Sequence, residues 1–206
     1  MNRGNISWPV ILISLALVVF LSILTFFVLR SNDVKRNIAS ANAIAFNLAY
    51  TGAIFHTTVG NIEIEFLQKD APKAIYNFID LAEKKFYDGT KFHYVLKNFL
   101  IQGGDPLSRG TDKSLYGTGS PGYTLPEEIS IEPMERGIVA MANLGQNTSG
   151  SQFFILTAES LPELTGKFTV FAKVVRGFEV LDQINDVPTD SNVPRYPIVL
   201  ERVEVE

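Results

Sequence analysis

Two segments decide the fold of this 206-residue chain: FHYVLKNFLIQGGD over residues 92–105 and NTSGSQFFI over residues 147–155. Each contains a run of aliphatic and aromatic residues bounded by glycine or polar residues, a pattern typical of a β-strand. We predict strands over residues 91–102 and 152–156. Both would lie in the central part of a β-rich domain.

The flanking sequence repeats the strand pattern. Residues 54–58 and 62–67 flank Val59-Gly60-Asn61, and Ile62, Ile64 and Phe66 alternate with polar neighbours, which predicts a β-hairpin with one buried face. A proline two residues after Asp70 and the apolar spacing beyond it predict a helix. Further strands are predicted over residues 137–142, 168–175 and 198–205, and a second helix over residues 178–184. Several short strands with only two helices favour an antiparallel barrel over a parallel α/β sheet.

A long irregular stretch, rich in glycine and proline, occupies residues 103–126. A loop of this length inside a compact domain is usually functional or mobile. Residues 117–122 match the GxGxxG pattern of dinucleotide sites, but that pattern requires a helix to begin at its end. Pro121 and Pro126 are incompatible with such a helix, so nucleotide binding is excluded.

An uncharged, apolar stretch spans residues 8–29. As a helix rising about 1.5 Å per residue, it would reach roughly 33 Å, enough to cross the hydrocarbon core of a bilayer. The alternative is a cleaved signal peptide, whose apolar region is usually shorter and lies close to its cleavage site. We therefore predict a tail and transmembrane anchor over residues 1–30, a linker over residues 31–50 and a folded domain over residues 51–206.

The sequence supports two alternative orientations of this anchor in the membrane. More basic residues follow the apolar stretch than precede it, which favours a cytoplasmic domain. A short tail before a first apolar stretch is instead typical of a signal anchor that exports the domain on its C-terminal side. We expect a single-pass membrane protein with an extracytoplasmic domain.

Charge and composition exclude several classes of partner. The chain has a formal charge of −4, and residues 51–206 hold 14 basic and 21 acidic side chains. Such an acidic domain is a poor electrostatic partner for nucleic acid. The chain has no cysteine, and its two histidines, His56 and His93, have no carboxylates at ligand-like spacing. We therefore expect no metal site.

The two opening segments, together with IVAMAN over residues 138–143 and GKFTVF over residues 166–171, resemble the cyclophilin-type peptidyl-prolyl isomerases. The resemblance runs from about residue 53 to residue 205. It implies a mainly β fold, a closed eight-stranded antiparallel barrel capped by two helices, here preceded by a single transmembrane helix. It also implies a groove on the outside of the barrel that binds proline-containing polypeptides, with no cofactor.

The resemblance assigns roles to two groups of residues. The predicted catalytic group is Tyr94, Phe99, Gln102 and Asn143, and the predicted substrate-binding group is Leu100, Ala142, Gln152, Phe154, Leu164 and Phe168. The apolar members would receive the prolyl ring, while Gln102 and Asn143 would hold the peptide backbone. The alternative is that these apolar side chains fill the barrel core. That alternative suits Phe153, which should face the opposite side from Phe154 on one strand.

Tyr94 stands where the family keeps its catalytic arginine. Rotation about an X-Pro bond has a barrier of about 20 kcal/mol, and the barrier falls when the prolyl nitrogen accepts a hydrogen bond. A phenol offers one neutral donor, whereas a guanidinium offers several charged ones. Glu163 and Phe168 also differ from the residues common in the family. We consider that Arg109, in the unusual loop over residues 107–116, replaces the missing charge.

These features lead to two main functional hypotheses and a weaker third, which is a mainly structural membrane protein whose domain only docks a partner. The first is a membrane-anchored peptidyl-prolyl cis-trans isomerase that assists protein folding, with activity reduced by Tyr94. The second is a binding module or chaperone that grips proline-containing segments without accelerating rotation.

Overall fold

The computed structural model describes Arg30 and residues 50–206, and the fold is that of residues 50–206. Nine strands form one antiparallel sheet in this part of the chain, in the order β3-β11-β1-β2-β8-β6-β7-β5-β4. These strands are β1 (Gly52–Thr57), β2 (Gly60–Phe66), β3 (Thr90–Lys91), β4 (Tyr94–Leu96), β5 (Leu100–Gly103), β6 (Ile138–Met141), β7 (Phe153–Leu156), β8 (Val170–Arg176) and β11 (Val199–Val205). Two further strands, β9 (Thr189–Asp190) and β10 (Val193–Pro194), form a small separate hairpin.

The predicted hairpin at the start of the domain is confirmed. Strands β1 and β2 pair in register from Gly52 opposite Glu65 to Thr57 opposite Gly60. The alternating residues Phe55, Ile62 and Ile64 are buried in the core, and their polar neighbours lie on the other face. The hydrophobic period of two therefore sets the register of this hairpin.

The sheet curls until its two edges are joined by the chain itself. Only Phe92 and His93 separate β3 at one edge from β4 at the other. The Phe92 amide donates to the Ile198 carbonyl at 3.0 Å, and the His93 amide donates to the Gln102 carbonyl at 3.0 Å, so the chain crosses from β11 to β5 at this point.

The prediction of a closed eight-stranded barrel is therefore wrong in two respects. The described sheet has nine strands, and its edge strands β3 and β4 do not pair with each other. The predicted single strand over residues 91–102 is in fact β3, β4 and β5. The fold is mainly β, with a curled, open sheet and two helices.

Helix α1 (Pro72–Glu83) packs its apolar face against the core of the curled sheet. Its buried Phe78 lies 5.2 Å from Phe171 and 6.0 Å from Phe153, measured between ring centroids. The helix begins at a proline, as predicted, but a distant carboxylate caps it. Glu128 Oε2 accepts hydrogen bonds from the backbone amides of Lys73 and Ala74, both at 2.9 Å, and so pairs donors that lack intrahelical partners.

Helix α2 (Phe178–Asn185) confirms the second predicted helix and buries Val180, Leu181 and Ile184. It begins after Gly177, whose φ is +87°. A Cβ atom at this position would lie 2.2 Å from the Asn61 carbonyl oxygen. Glycine is therefore required where the start of α2 approaches the beginning of strand β2.

The predicted transmembrane anchor over residues 8–29 lies outside the described residues, as does most of the predicted linker. Among the residues that the structure describes, no helix has the length and apolar character to span a bilayer.

Candidate proline-binding groove

One row of side chains crosses the outer face of the sheet. Tyr94 pairs with Gln102 across β4 and β5, Gln102 pairs with Phe154 across β5 and β7, and Phe154 pairs with Ala140 across β7 and β6. Paired residues on neighbouring strands point to the same side of a sheet. Phe154 belongs to an apolar cluster separate from the interior core, whereas Phe153 belongs to the interior, which confirms that these two side chains face opposite sides.

This outer apolar cluster is the candidate floor of the predicted proline-binding groove. Phe154 is 3% exposed, and the Phe168 ring packs edge-on against it, with 5.1 Å between ring centroids and 83° between ring planes. The partly buried predicted residues that pack on the cluster are Leu100, Ala142, Leu164 and Phe168. The structure thus brings together five of the six predicted substrate-binding residues in one apolar cluster on the outer face of the sheet.

The sixth, Gln152, lies on the polar side of the groove. Gln102 Nε2 donates to Gln152 Oε1 at 2.8 Å, and Gln152 Nε2 donates to the carbonyls of Gly117 at 2.9 Å and Gly119 at 2.8 Å. These amides border a cavity of about 130 Å³, which Ala142 and Asn143 also line. An amide pair at this place has the donors and acceptors that a peptide backbone requires.

Asn143 approaches a carboxylate at the rim of the groove. Its Nδ2 donates to Glu127 Oε1 at 3.5 Å, and the Glu127 backbone amide donates to Asn147 Oδ1 at 2.9 Å. Glu127 is not among the site residues predicted from the sequence. No spacing in the sequence indicates that a loop residue 16 positions away contacts Asn143.

Tyr94 is half-buried beside the β9–β10 hairpin. Asn192 Nδ2 donates to Tyr94 Oη at 3.3 Å, and the Asn192 carbonyl accepts from the Val95 amide at 2.8 Å. A phenolic oxygen has one proton and two lone pairs, so accepting this bond leaves the Tyr94 proton available for a second partner. Tyr94 can therefore act as a neutral hydrogen-bond donor. No motif in the sequence singles out Asn192.

Phe99 occupies a different place from the rest of the predicted catalytic group. It ends the turn between β4 and β5, is half-buried, and its carbonyl accepts a hydrogen bond from the Thr157 amide at 3.0 Å. Within the described residues, its side chain belongs to neither apolar cluster. Asn98, with φ of +57°, turns the chain just before it, so Phe99 lies outside the regular alternation of β5.

Arg109 does not replace the missing guanidinium, and that hypothesis is wrong. Its Nε donates to the Asp88 carbonyl at 2.9 Å, its second terminal nitrogen donates to the Phe86 carbonyl, and the guanidinium lies 5.7 Å from the centroid of the Phe86 ring. The side chain therefore binds the segment that follows α1. Loop position alone carried no information about this direction.

The two histidines have separate environments. His93 is 4% exposed with an unpaired Nδ1, and burial lowers the pKa of its ring, an effect that nearby Asp105 partly opposes. His56 Nε2 instead lies 2.9 Å from Glu204 at the surface. Within residues 50–206, the structure contains no group of three histidine or carboxylate side chains arranged to hold a metal ion.

Known proteins are similar to this chain in sequence and fold. The family described as "Cyclophilin type peptidyl-prolyl cis-trans isomerase/CLD" matches residues 53–205. A peptidyl-prolyl cis-trans isomerase of Arabidopsis thaliana is 44% identical over 153 residues, covering 73% of this chain and 92% of the relative. The peptidyl-prolyl cis-trans isomerase-like 3 protein of Gallus gallus is 43% identical over 142 residues, covering 68% and 85%.

The similarity extends to solved structures. A crystal structure of a cyclophilin type peptidyl-prolyl cis-trans isomerase from Cryptosporidium parvum superposes with a TM-score of 0.69 at 35% identity, covering 76% of this chain and 98% of that one. A second crystal structure of that protein, in the presence of the dipeptide Ala-Pro, gives a TM-score of 0.68. With its curled sheet, its two helices and this coverage by relatives, the chain belongs to the cyclophilin-type peptidyl-prolyl cis-trans isomerase family and is an isomerase.

Proposed function

We propose that the outer groove is the site at which this isomerase binds an X-Pro segment and accelerates rotation about its peptide bond. The observation that carries the proposal is the row formed by Tyr94, Gln102 and Phe154, which places a donor, an amide and an apolar floor on one face. In this proposal the prolyl ring packs on Phe154, Leu164 and Phe168. The Ala-Pro dipeptide used with the similar protein from Cryptosporidium parvum has the chemistry that such a floor would bind.

The reaction breaks no covalent bond, so the site needs only to lower a rotational barrier of about 18–20 kcal/mol. Gln102 and Asn143 would hold the flanking carbonyl and amide groups, and the apolar floor would hold the ring. The Tyr94 proton, left free by the bond from Asn192, would be donated to the prolyl nitrogen as it becomes pyramidal. A hydrogen bond to the nitrogen lone pair removes it from amide resonance, which lowers the barrier.

A neutral phenol makes a weaker donor than a guanidinium. Charged hydrogen bonds are roughly twice as strong as neutral ones. The proposed enzyme is therefore slower than an otherwise identical one with arginine at this position. Glu163 is exposed and Phe168 is apolar, and neither supplies the missing positive charge.

We also propose that the enzyme is anchored by residues 8–29 and assists folding of proline-containing chains beside a membrane, with its domain outside the cytoplasm. The support is the uncharged apolar stretch of 22 residues, together with the short tail before it. Protease digestion of intact cells tests the orientation, because only an extracytoplasmic domain is cleaved from outside. A domain that survives until the cells are lysed would refute the proposed orientation.

The test of the groove compares the full-length parent with its Tyr94→Arg variant in an X-Pro peptide isomerisation assay. We expect a measurable parent rate that rises on introduction of arginine. Peptide affinity is measured in the same preparations by titration. A parent that binds the peptide yet leaves the uncatalysed rate unchanged would refute the proposed site chemistry and favour the binding-module alternative.

A further inference from the structure

Lys91, at the end of β3, holds the loop over residues 106–117 through its ammonium group. Its Nζ donates to the carbonyls of Ser108 at 2.5 Å and Gly110 at 2.7 Å, and to the Tyr116 hydroxyl at 3.1 Å. A weaker contact reaches the Arg109 carbonyl at 3.3 Å, and Nζ lies 5.4 Å from the centroid of the Tyr116 ring. The cation therefore binds backbone oxygens and an aromatic ring on both sides of one loop.

The same loop is fixed at both ends by a buried carboxylate. Asp105 is 0% exposed, and its Oδ1 accepts from the Leu107 amide at 2.8 Å while its Oδ2 accepts from the Gly117 amide at 2.5 Å. Tyr116 Oη also donates to the Gly110 carbonyl at 2.9 Å. Lys91 thus binds carbonyls of this loop, and Asp105 binds two of its backbone amides.

This loop ends at Gly117, whose carbonyl and that of Gly119, two residues further on, both contact an amide of the candidate groove. The Gly117 and Gly119 carbonyls both accept from Gln152 Nε2, so the amide of Gln152 must point its Oε1 the other way, toward Gln102 Nε2. A free glutamine side chain has several rotamers and costs about 1.5–2 kcal/mol to order. The two loop carbonyls therefore select the orientation of Gln152, and Gln152 selects that of Gln102.

We propose that Lys91 is a positioning residue for the isomerase site, acting through the loop carbonyls on Gln152 and then on Gln102. The proposal rests on the proposed function, because Gln102 is taken there to hold the peptide backbone. Lys91 itself need not touch the substrate. Its charge matters because charge-assisted bonds to several carbonyls hold a loop more firmly than neutral ones.

The principal test is Lys91→Met in the full-length chain, which keeps a long apolar side chain and removes the ammonium group. We expect kcat/KM for an X-Pro peptide to fall roughly ten-fold, the scale of losing a hydrogen bond to a charged group. Lys113→Met is the matched control, since Lys113 lies on the same loop and its Nζ donates to the Pro194 carbonyl at 3.3 Å. The control should remain within about two-fold of the parent, as surface substitutions usually do.

A double-variant cycle separates positioning from general destabilisation. If Lys91 acts through Gln152, then Lys91→Met should cause no further loss in a Gln152→Ala background. An undiminished loss in that background would overturn the proposal. Tyr116→Phe is a milder second variant, which removes one contact to Nζ and should give a smaller loss in the same direction.

A measurement that does not depend on isomerase activity separates the positioning role of Lys91 from the proposed function. In ¹⁵N NMR spectra, the side-chain amide signals of Gln102 and Gln152 should move toward solvent-exposed values in Lys91→Met and stay in place in Lys113→Met. Unchanged signals in Lys91→Met would overturn the positioning role even if the parent is an efficient enzyme. A parent without isomerase activity, in contrast, would refute the proposed function and leave this loop measurement to decide the role of Lys91.

Discussion

Tyr94→Phe is the most direct perturbation of the proposed chemistry, because it removes one oxygen and keeps the ring. Tyr94 is half-buried on the outer face of the sheet and takes no part in the interior core. The only described partner of its hydroxyl is Asn192 Nδ2 at 3.3 Å. Loss of that bond should cost about 0.5–1.5 kcal/mol of stability, which leaves the domain folded.

The expected effect on the rate is much larger than the effect on stability. Loss of one preorganised donor in a transition state typically costs about 2.7–4 kcal/mol, or roughly 10² to 10³ in rate. A neutral donor in a partly exposed groove belongs at the lower end of that range. We therefore expect Tyr94→Phe to lower kcat by about 100-fold, while peptide affinity stays within a factor of about two because the apolar floor is unchanged.

The assay is cis-to-trans isomerisation of an X-Pro peptide by the full-length chain, with affinity measured separately by titration. Asn192→Gly is the control, because Asn192 has a φ of +67° that glycine adopts freely and the substitution leaves the phenol in place. It should change kcat less than Tyr94→Phe does. A Tyr94→Phe variant with the parent's kcat would refute the reasoning, since the phenol would then have no part in the rotation.

Three further predictions concern stability and substrate charge. Burial lowers the pKa of His93, so its contribution to stability is complete above pH of about 6.5 and is lost as the pH falls toward the folded pKa. Urea midpoints should drop between pH of about 7 and about 5.5, and His93→Gln should flatten that drop; an equal drop in the variant would contradict this. Glu163 is exposed beside the candidate groove, so Lys-Pro peptides should be isomerised in preference to Glu-Pro peptides. Glu163→Gln should reduce this preference by about two-fold at low salt. An unchanged ratio of the two rates would contradict this prediction. Gly177→Ala should lower the free energy of unfolding in urea by at least about 2 kcal/mol. Gly122 has a similar φ but open space where a Cβ would be added, so Gly122→Ala should lower it by less. Equal losses of stability would show that only φ matters.

Much of the fold was predictable because its local signals agree with its tertiary packing. The alternation of Ile62, Ile64 and Phe66 predicts a strand with one buried face, and all three side chains are buried in the core. Proline at the start of α1 and Gly177 before α2 mark both helix starts. Such consistency between local and global preferences is typical of sequences that fold to one structure.

The closure of the sheet was not predictable from the same signals. Residues 91–102 read as one strand because aliphatic and aromatic residues predominate throughout. The chain instead changes partners at Phe92 and His93, where one amide binds Ile198 and the next binds Gln102. A change of partner depends on strands that are distant in sequence, and hydrophobic period carries no information about it.

The candidate site likewise has a part that was predictable from the sequence and a part that was not. The resemblance identifies positions such as Gln102 and Phe154, and strand pairing places them in one row because side chains opposite each other on paired strands face the same side. The resemblance carries no information about the direction of a long flexible side chain such as that of Arg109, because that direction depends on the carbonyls within its reach. Such directions follow from hydrogen bonding in the folded chain and not from spacing.

The effect of tyrosine at the position of the family's arginine depends on the hydrogen-bond partners of Tyr94 as well as on Tyr94 itself. Its partner Asn192 lies 98 positions away, in a turn where Ser191 and Asn192 both have positive φ. Asparagine tolerates that conformation better than most residues and presents an amide there. Because the amide nitrogen donates to Tyr94 Oη, the phenol must use its own proton elsewhere, and the groove is where an acceptor would arrive with the substrate. In the proposed mechanism, the rate of isomerisation would therefore depend on the Tyr94 proton, which the hydrogen bond from Asn192 leaves free for the substrate.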